Sequence, residues 1–345
     1  MKLLFISGPG RSGTTLLKDL LDGHPQIAVW PNEWQFITLY KKYVRKNLFE
    51  KVSVGEILTC FQCDKKKFYP VLEGTVIDHR MKNVVSKFPK LNPDFTQKLW
   101  KDKDLNLNAK EFYYLVADSF RWQHSQNIFC NKCNDPQNIM EYMSHFREAG
   151  FIFMIRNPIA SYISKLKHRA KGLNLVPPHF AWNVFLHSFL EIKDFFKSLK
   201  FLQESEDLFK NFIVIKMEDI RNNSFKSLKF ITDSLNIEYN DSLTNLTFLG
   251  DPVPGYLADP KANSSRILPL ENTEENQVGL TAKEKKWLLY HKDLFTSYYP
   301  EIENEIHNLP TVDLLRRTYM FFNKYQNTGK EQFIKLYSEL LIPQS

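Results

Sequence analysis

The chain has 345 residues, a 43% apolar fraction and 28 phenylalanines, enough to bury a large core in one α/β domain or two smaller ones. Its net charge of +7 favours anionic ligands by steering, but the lysines are scattered, with no basic tail and no aromatic-interleaved basic stripe, so nucleic acid is not expected as a partner. No apolar run is long enough to cross a membrane, and Met1 leads directly into a short strand rather than a signal-peptide core, so a cytoplasmic chain is expected.

Lys2 to Ser7 (KLLFIS) is a short apolar run suited to a buried parallel strand. Gly8-Pro9-Gly10-Arg11-Ser12-Gly13-Thr14-Thr15 follows at once. Leu16, Leu17, Leu20 and Leu21 then recur at helical spacing, with Gly23 placed to stop the helix. Strand, glycine-rich turn and helix together point backbone N–H groups and a helix N-terminus at a phosphate or sulfate. The spacing from Gly8 to Gly13 matches the nucleotide P-loop, yet Thr14 stands where that loop needs lysine. Arg11 is the strong cation of the turn.

Further strands are expected at Ile27 to Trp30, Ile128 to Lys132, Phe151 to Arg156 and Phe212 to Lys216, with Val76 to Asp78 a weaker candidate. Helices are expected over Asn32 to Tyr43, Glu111 to Gln123, Pro136 to Ala149, Ile159 to Lys171, Pro178 to Gln203 and Ser224 to Leu235. The alternation predicts an α/β fold, a P-loop-NTPase-like central parallel sheet flanked by helices. Residues from about 50 to 108 are polar and irregular, as expected of a substrate-side insertion. From Thr281 on, amphipathic helices carry Trp287, Leu288, Phe295, Phe333, Leu336 and Leu340 as packing residues. The organisation expected is an α/β domain over 1–300 with a helical C-terminal extension over 301–345 packed on it.

The four cysteines fall in two CxxC pairs, Cys60/Cys63 and Cys130/Cys133. Two such pairs are the ligand count of a structural zinc site, but their separation is far longer than a zinc ribbon uses. Reduced thiols, a disulfide and a metal site all stay open. Trp30, Trp34 and Phe36 either stack on a sugar or aromatic acceptor or pack the following helix.

Pro9, Arg11-Ser12-Gly13-Thr14-Thr15, Leu20 and His24-Pro25 resemble the 5′-phosphosulfate loop of sulfotransferases, which use 3′-phosphoadenosine 5′-phosphosulfate. The run RSGTTLLKDLLDGHP, Arg11 to Pro25, is most similar to the protein-tyrosine and carbohydrate branch. Two downstream segments extend the resemblance. Phe151 to Ile155 is a strand ending in Arg156-Asn157-Pro158, and Ser164 lies eight residues after Arg156; in these enzymes such an Arg and Ser hold the 3′-phosphate. His168 lies where some members place a further basic residue, with Arg169 beside it. Phe129-Cys130-Asn131-Lys132, then Asp135-Pro136, resembles the strand-end segment of tyrosylprotein sulfotransferases, with Cys133 and Asn134 inserted. Lys132 is thereby implied near the transferring group; the alternative is a lysine on an ordinary strand-to-helix loop.

The resemblance implies cosubstrate binding by Pro9, Gly10, Arg11, Ser12, Gly13, Thr14, Thr15, Arg156 and Ser164, and by Ser265 and Arg266 of the polar loop Ala262 to Arg266. The implied catalytic residues are Glu33, Arg11 and Lys132. Glu33 is the candidate base, although a gapless alignment puts the family's glutamate on Asn32; Asp78 and His79 are the reserve. The implied reaction moves a sulfuryl group to a hydroxyl of a carbohydrate, a tyrosine or a small metabolite, with no metal required. A P-loop kinase or NTPase is the alternative enzyme, and a non-catalytic nucleotide-binding protein is the alternative of another class.

Overall fold

The computed structural model describes residues 1–62, 98–120, 125–133, 139–172, 178–204, 211–248, 250–252 and 279–312. Its centre is a parallel sheet of five strands: β1 (Lys2–Ser7), β2 (Ile27–Glu33), β5 (Ile128–Lys132), β6 (Gly150–Ile155) and β7 (Phe212–Lys216), in the order β2-β5-β1-β6-β7. The short strands β3 (Val52–Ser53) and β4 (Asn106–Leu107) pair antiparallel, as do β8 (Thr247–Phe248) and β9 (Asp251–Pro252). This is the α/β class with a helix-flanked parallel sheet that the alternating pattern predicts. β1 is central and is buried along nearly its whole length, which is why its sequence is a continuous apolar run rather than an alternating one.

Parallel strands end on one edge of a sheet. The C-terminal edge here carries Gly8 after β1, Glu33 closing β2 and Lys132 closing β5. β2 runs three residues beyond its expected end, through Pro31 to Glu33. A proline is tolerated because β2 is an edge strand, and its ladder with β5 shifts register between Val29 and Glu33. The helix expected from Asn32 therefore starts only at Phe36, as a single turn that passes into a π-helical segment, Tyr40–Val44.

The chain forms two compact units. One comprises Met1–Gly8, Gly13–Ile155 and Glu206–Pro269; the other comprises Pro9–Ser12, Arg156–Ser205 and Leu270–Ser345. In the sheet unit, an aromatic core surrounds Phe5, whose ring lies 5.2–5.6 Å from those of Tyr113, Tyr142, Phe146 and Phe151. Trp30 stacks on Trp34 at 4.8 Å, and Trp34 stacks on Tyr113 at 4.8 Å with 12° between planes. Trp30, Trp34 and Phe36 are all fully buried. Their placement decides the open question: they are core, and no stacking platform for an acceptor is built from them.

The described residues of the other unit are mainly helical. Asn157 caps the helix Pro158–Gly172 by accepting from the Ile159 and Ala160 N–H groups at 2.9 and 3.2 Å, and Pro158 takes the first helical position, where no N–H partner is needed. That helix packs on the long helix Pro178–Glu204. A capping box of Thr281 and Glu284 starts the helix Ala282–Tyr290, and buried Glu284 also accepts from the Tyr162 hydroxyl at 2.8 Å. No described helix is long and apolar enough to cross a membrane.

In the insertion, Val54–Gln62 is an amphipathic helix that the irregular composition of the region did not foretell. The strand candidate Val76 to Asp78, and Phe333, Leu336 and Leu340 of the tail, lie outside the described residues.

Candidate functional site

In the sheet unit the site begins where β1 gives way to the helix Thr14–Leu21 (α1). Gly13 caps α1 with φ +94°, a left-handed conformation that side chains with a Cβ disfavour. A Cβ at Gly13 would also stand 2.9 Å from Met217 Cγ and 3.3 Å from Met154 Cε. Glycine is thus required twice, by backbone angle and by space. No side chain caps α1, and no acidic residue lies in its first turn. That is the pattern of a helix N-terminus suited to an anion.

Beside it, the ends of two neighbouring strands bring a cation and a carboxylate together. Lys132 Nζ donates to Thr15 Oγ1 at 3.0 Å and pairs with Glu33 Oε2 at 3.3 Å. Glu33 and Lys132 are ladder partners across β2 and β5, so the register sets their approach. Glu33 Oε1 accepts from Gln35 Nε2 at 2.9 Å. Lys132 is buried, while the Glu33 carboxylate remains about one-third exposed. Burial pulls the Lys132 ammonium below the usual lysine range; the Glu33 charge opposes this and the Lys18 charge adds to it. Within α1, Lys18 and Asp19 form a buried pair at 2.7 Å, and Lys18 lies over the Phe248 ring. Asp22 accepts from the Gly250 N–H at 2.8 Å, which ties the β8–β9 turn to the end of α1.

The helical unit holds the first half of the turn, Pro9 to Ser12. The Ser12 N–H donates to the Pro9 carbonyl at 3.1 Å, closing a tight bend. Arg11 at its apex has φ +74° and is exposed. Its Nε donates to Ser164 Oγ at 3.2 Å, and its carbonyl accepts from Arg156 Nη1 at 3.5 Å. Arg156, one residue past β6, is buried. The Gly10 N–H donates to Glu191 Oε1 at 2.5 Å, and Glu191 Oε2 pairs with Lys165 Nζ at 2.6 Å.

Residues 4–241 match the model of the Sulfotransferase family. The chain belongs to the sulfotransferase family. It aligns with the sulfotransferase domain of the Synechococcus PCC 7002 olefin synthase over 94% of both chains, at 16% identity and a TM-score of 0.49. It aligns with the sulfotransferase domain of the curacin biosynthetic pathway over 94% of this chain and 96% of that one, at 16% identity and a TM-score of 0.45. A sulfotransferase from Alicyclobacillus acidocaldarius matches over 86% and 95% of the two chains, at 12% identity and a TM-score of 0.41. No curated protein sequence matches the chain.

For this sulfotransferase, the structure brings the expected site residues into two groups. Thr15, Lys132 and Glu33 meet in the sheet unit, with Gly13 and Thr14 at the start of α1. Gly10, Arg11, Arg156 and Ser164 meet in the helical unit, with Pro9 and Ser12 closing the bend. His168 and Arg169 lie on the helix Pro158–Gly172. Asp78, His79, Ser265, Arg266, Asp135, Pro136 and Cys63 lie outside the described residues. Cys130 is on β5 and Cys133 directly follows it; both are buried, and burial pushes the Cys130 thiol well up. Among the described residues no disulfide forms and no three metal-ligating side chains cluster.

Four residues were not anticipated from sequence. Asn157 starts the helix that carries Ser164, and its place between Arg156 and Pro158 was a readable cap signal. Gln35 holds Glu33, two residues away. Glu191 and Lys165 hold Gly10, and 181 residues separate Gly10 from Glu191. No local pattern reaches that far.

Proposed function

We propose that this sulfotransferase uses 3′-phosphoadenosine 5′-phosphosulfate as donor and a hydroxyl-bearing acceptor, a carbohydrate, tyrosine or small metabolite. The observation that carries this reading is the buried Lys132 ammonium, shared between Thr15 at the N-terminus of α1 and the Glu33 carboxylate. Sulfuryl transfer places negative charge on the oxygens of the transferring group and on the leaving phosphate. A desolvated cation beside helix N–H groups neutralises such charge without reorganisation. Arg11 serves the same purpose from the turn.

The acceptor hydroxyl must lose a proton as its oxygen attacks sulfur. We assign Glu33 as the base that takes it. Its carboxylate is partly exposed, and two donors orient its oxygens. The new bond joins acceptor oxygen to sulfur. The bond that breaks joins sulfur to the 5′-phosphate oxygen, and adenosine 3′,5′-bisphosphate leaves. We assign Arg156 and Ser164 to the 3′-phosphate: a planar guanidinium fork and a hydroxyl suit a phosphate, and both already contact Arg11. Ser265 and Arg266 are assigned to the same cosubstrate on sequence resemblance alone.

Incubation with ³⁵S-labelled phosphosulfate donor and pooled glycans, tyrosine peptides and metabolites tests the reading. Label appearing in one acceptor class, and not with the Lys132→Ala variant, is the expected result. Label in none of them counts against this reading.

A further inference from the structure

The helix Pro178–Glu204 turns one apolar face inward, with Phe189, Ile192, Phe195, Phe196 and Leu199 all buried. Glu191 lies beside that face with a carboxylate that is only one-fifth exposed. A part-buried carboxylate needs partners, and it has two of opposite kinds. Oε1 accepts the Gly10 N–H at 2.5 Å, and Oε2 pairs with Lys165 at 2.6 Å. The approach to Gly10 is close enough that a Cβ there would stand 3.2 Å from Oε1 and 3.7 Å from Lys165 Nζ. A side chain at Gly10 would therefore crowd the clamp.

The next residue, Arg11, sits at φ +74°, unfavourable for any residue with a Cβ. Such a conformation persists only where the surroundings over-determine it. A bare carboxylate would be a poor device beside a turn that receives anions, because it would repel them. The Lys165 ammonium removes that objection by cancelling its charge.

We propose that Glu191 is a positioning residue of the phosphosulfate turn. Its carboxylate, neutralised by Lys165, fixes the Gly10 amide and so sets the backbone from which Arg11 is presented. Glu191 acts through Gly10 and does not touch the ligand. The proposal rests on the reading that this turn receives the cosubstrate.

Two measurements on the full chain test it. The first is amide hydrogen exchange at Gly10 and Arg11 without ligand, in wild type, Glu191→Ala and Glu191→Gln. Exchange should quicken at least tenfold in the alanine variant, and far less in the glutamine variant, which keeps an acceptor oxygen. The melting temperatures of the two variants should match, separating a local hold from a global one. Unchanged exchange in the alanine variant overturns the proposal. The second is calorimetric binding of adenosine 3′,5′-bisphosphate. Glu191→Ala should weaken it about tenfold, and Glu191→Gln should recover most of that loss. Lys165→Met should weaken it too, by a margin that shrinks with added salt. Tighter binding by either Glu191 variant would mean that the carboxylate competes with the ligand, which overturns the proposal. If Glu191→Ala does not fold, the glutamine and Lys165→Met arms decide. If wild type does not bind the bisphosphate at all, the cosubstrate reading falls, and the exchange arm still decides whether Glu191 holds Gly10.

Discussion

The two groups of site residues hold their charges by different means. In the sheet unit, Lys132 and Glu33 sit at the ends of hydrogen-bonded strands, and the β2–β5 register delivers them to each other. The cation is buried, and its hold is the sheet itself. In the helical unit, Arg11 is exposed on a left-handed turn residue, and side chains from two helices brace the bend. There the hold is a set of separate contacts acting against backbone strain. A sheet-borne site should tolerate loss of a neighbour but not of the reacting group. A braced turn should lose binding in steps as its braces are removed.

The largest effect should come from the sheet group. Glu33→Gln keeps shape and removes the proposed base, so turnover should fall by about two to four orders of magnitude while bisphosphate binding stays intact. Normal turnover in steady-state assays would move the base to Asp78 or His79. Arg11→Ala comes next, with kcat/KM lower by roughly two orders of magnitude. A loss of only a few-fold would mean that Lys132 and the helix N–H groups suffice.

Arg156→Ala should weaken adenosine 3′,5′-bisphosphate by about 2 kcal/mol and hardly change an analogue lacking the 3′-phosphate. Equal losses in calorimetry would remove Arg156 from the 3′-phosphate. Glycine substitutions contrast the two halves of the turn directly. Gly13→Ala should cost on the order of 1–2 kcal/mol in denaturant unfolding, because φ +94° and the Met217 contact both oppose a Cβ. Gly10→Ala, at a position without positive φ, should cost less stability and show its effect in ligand binding instead. Similar stability losses would erase the distinction.

The smallest effect is a pH shift. Burial lowers the Lys132 pKa, so the ammonium is fully present below that lowered value and is lost as pH rises through it. The alkaline limb of kcat/KM should therefore begin below the ordinary lysine range. Lys132→Arg, whose guanidinium stays charged, should move the limb upward. A limb that does not move assigns it to another group.

Much of the sheet was legible because its inner strands are buried on both faces and even the half-buried edge strand Phe212–Lys216 is a mainly apolar run. Ile128–Lys132 and Phe212–Lys216 begin and end where the sequence says. β2 runs past its expected end at Trp30 because an edge strand tolerates Pro31. The helix Ser224–Leu235 was legible from its pattern; Asn223 caps it, and Asn236 ends it in a left-handed conformation. The strand, glycine-rich turn and helix at the N-terminus were legible because their signals are local. The turn's division between two units was not readable, since Gly10 is held by Glu191 and Gly13 is crowded by Met217, both distant in sequence. The tryptophans beside Glu33 were ambiguous because burial depends on what packs against them, and Tyr113 lies far along the chain.

We propose that this sulfotransferase takes its donor as an adenosine 3′-phosphate 5′-phosphosulfate. Calorimetric titration of the wild-type chain with adenosine 3′,5′-bisphosphate, adenosine 5′-phosphate and ATP tests it most directly. The bisphosphate should bind at least tenfold more tightly than either of the others. ATP binding as tightly as the bisphosphate, or a 3′-phosphate that adds nothing over adenosine 5′-phosphate, would contradict it.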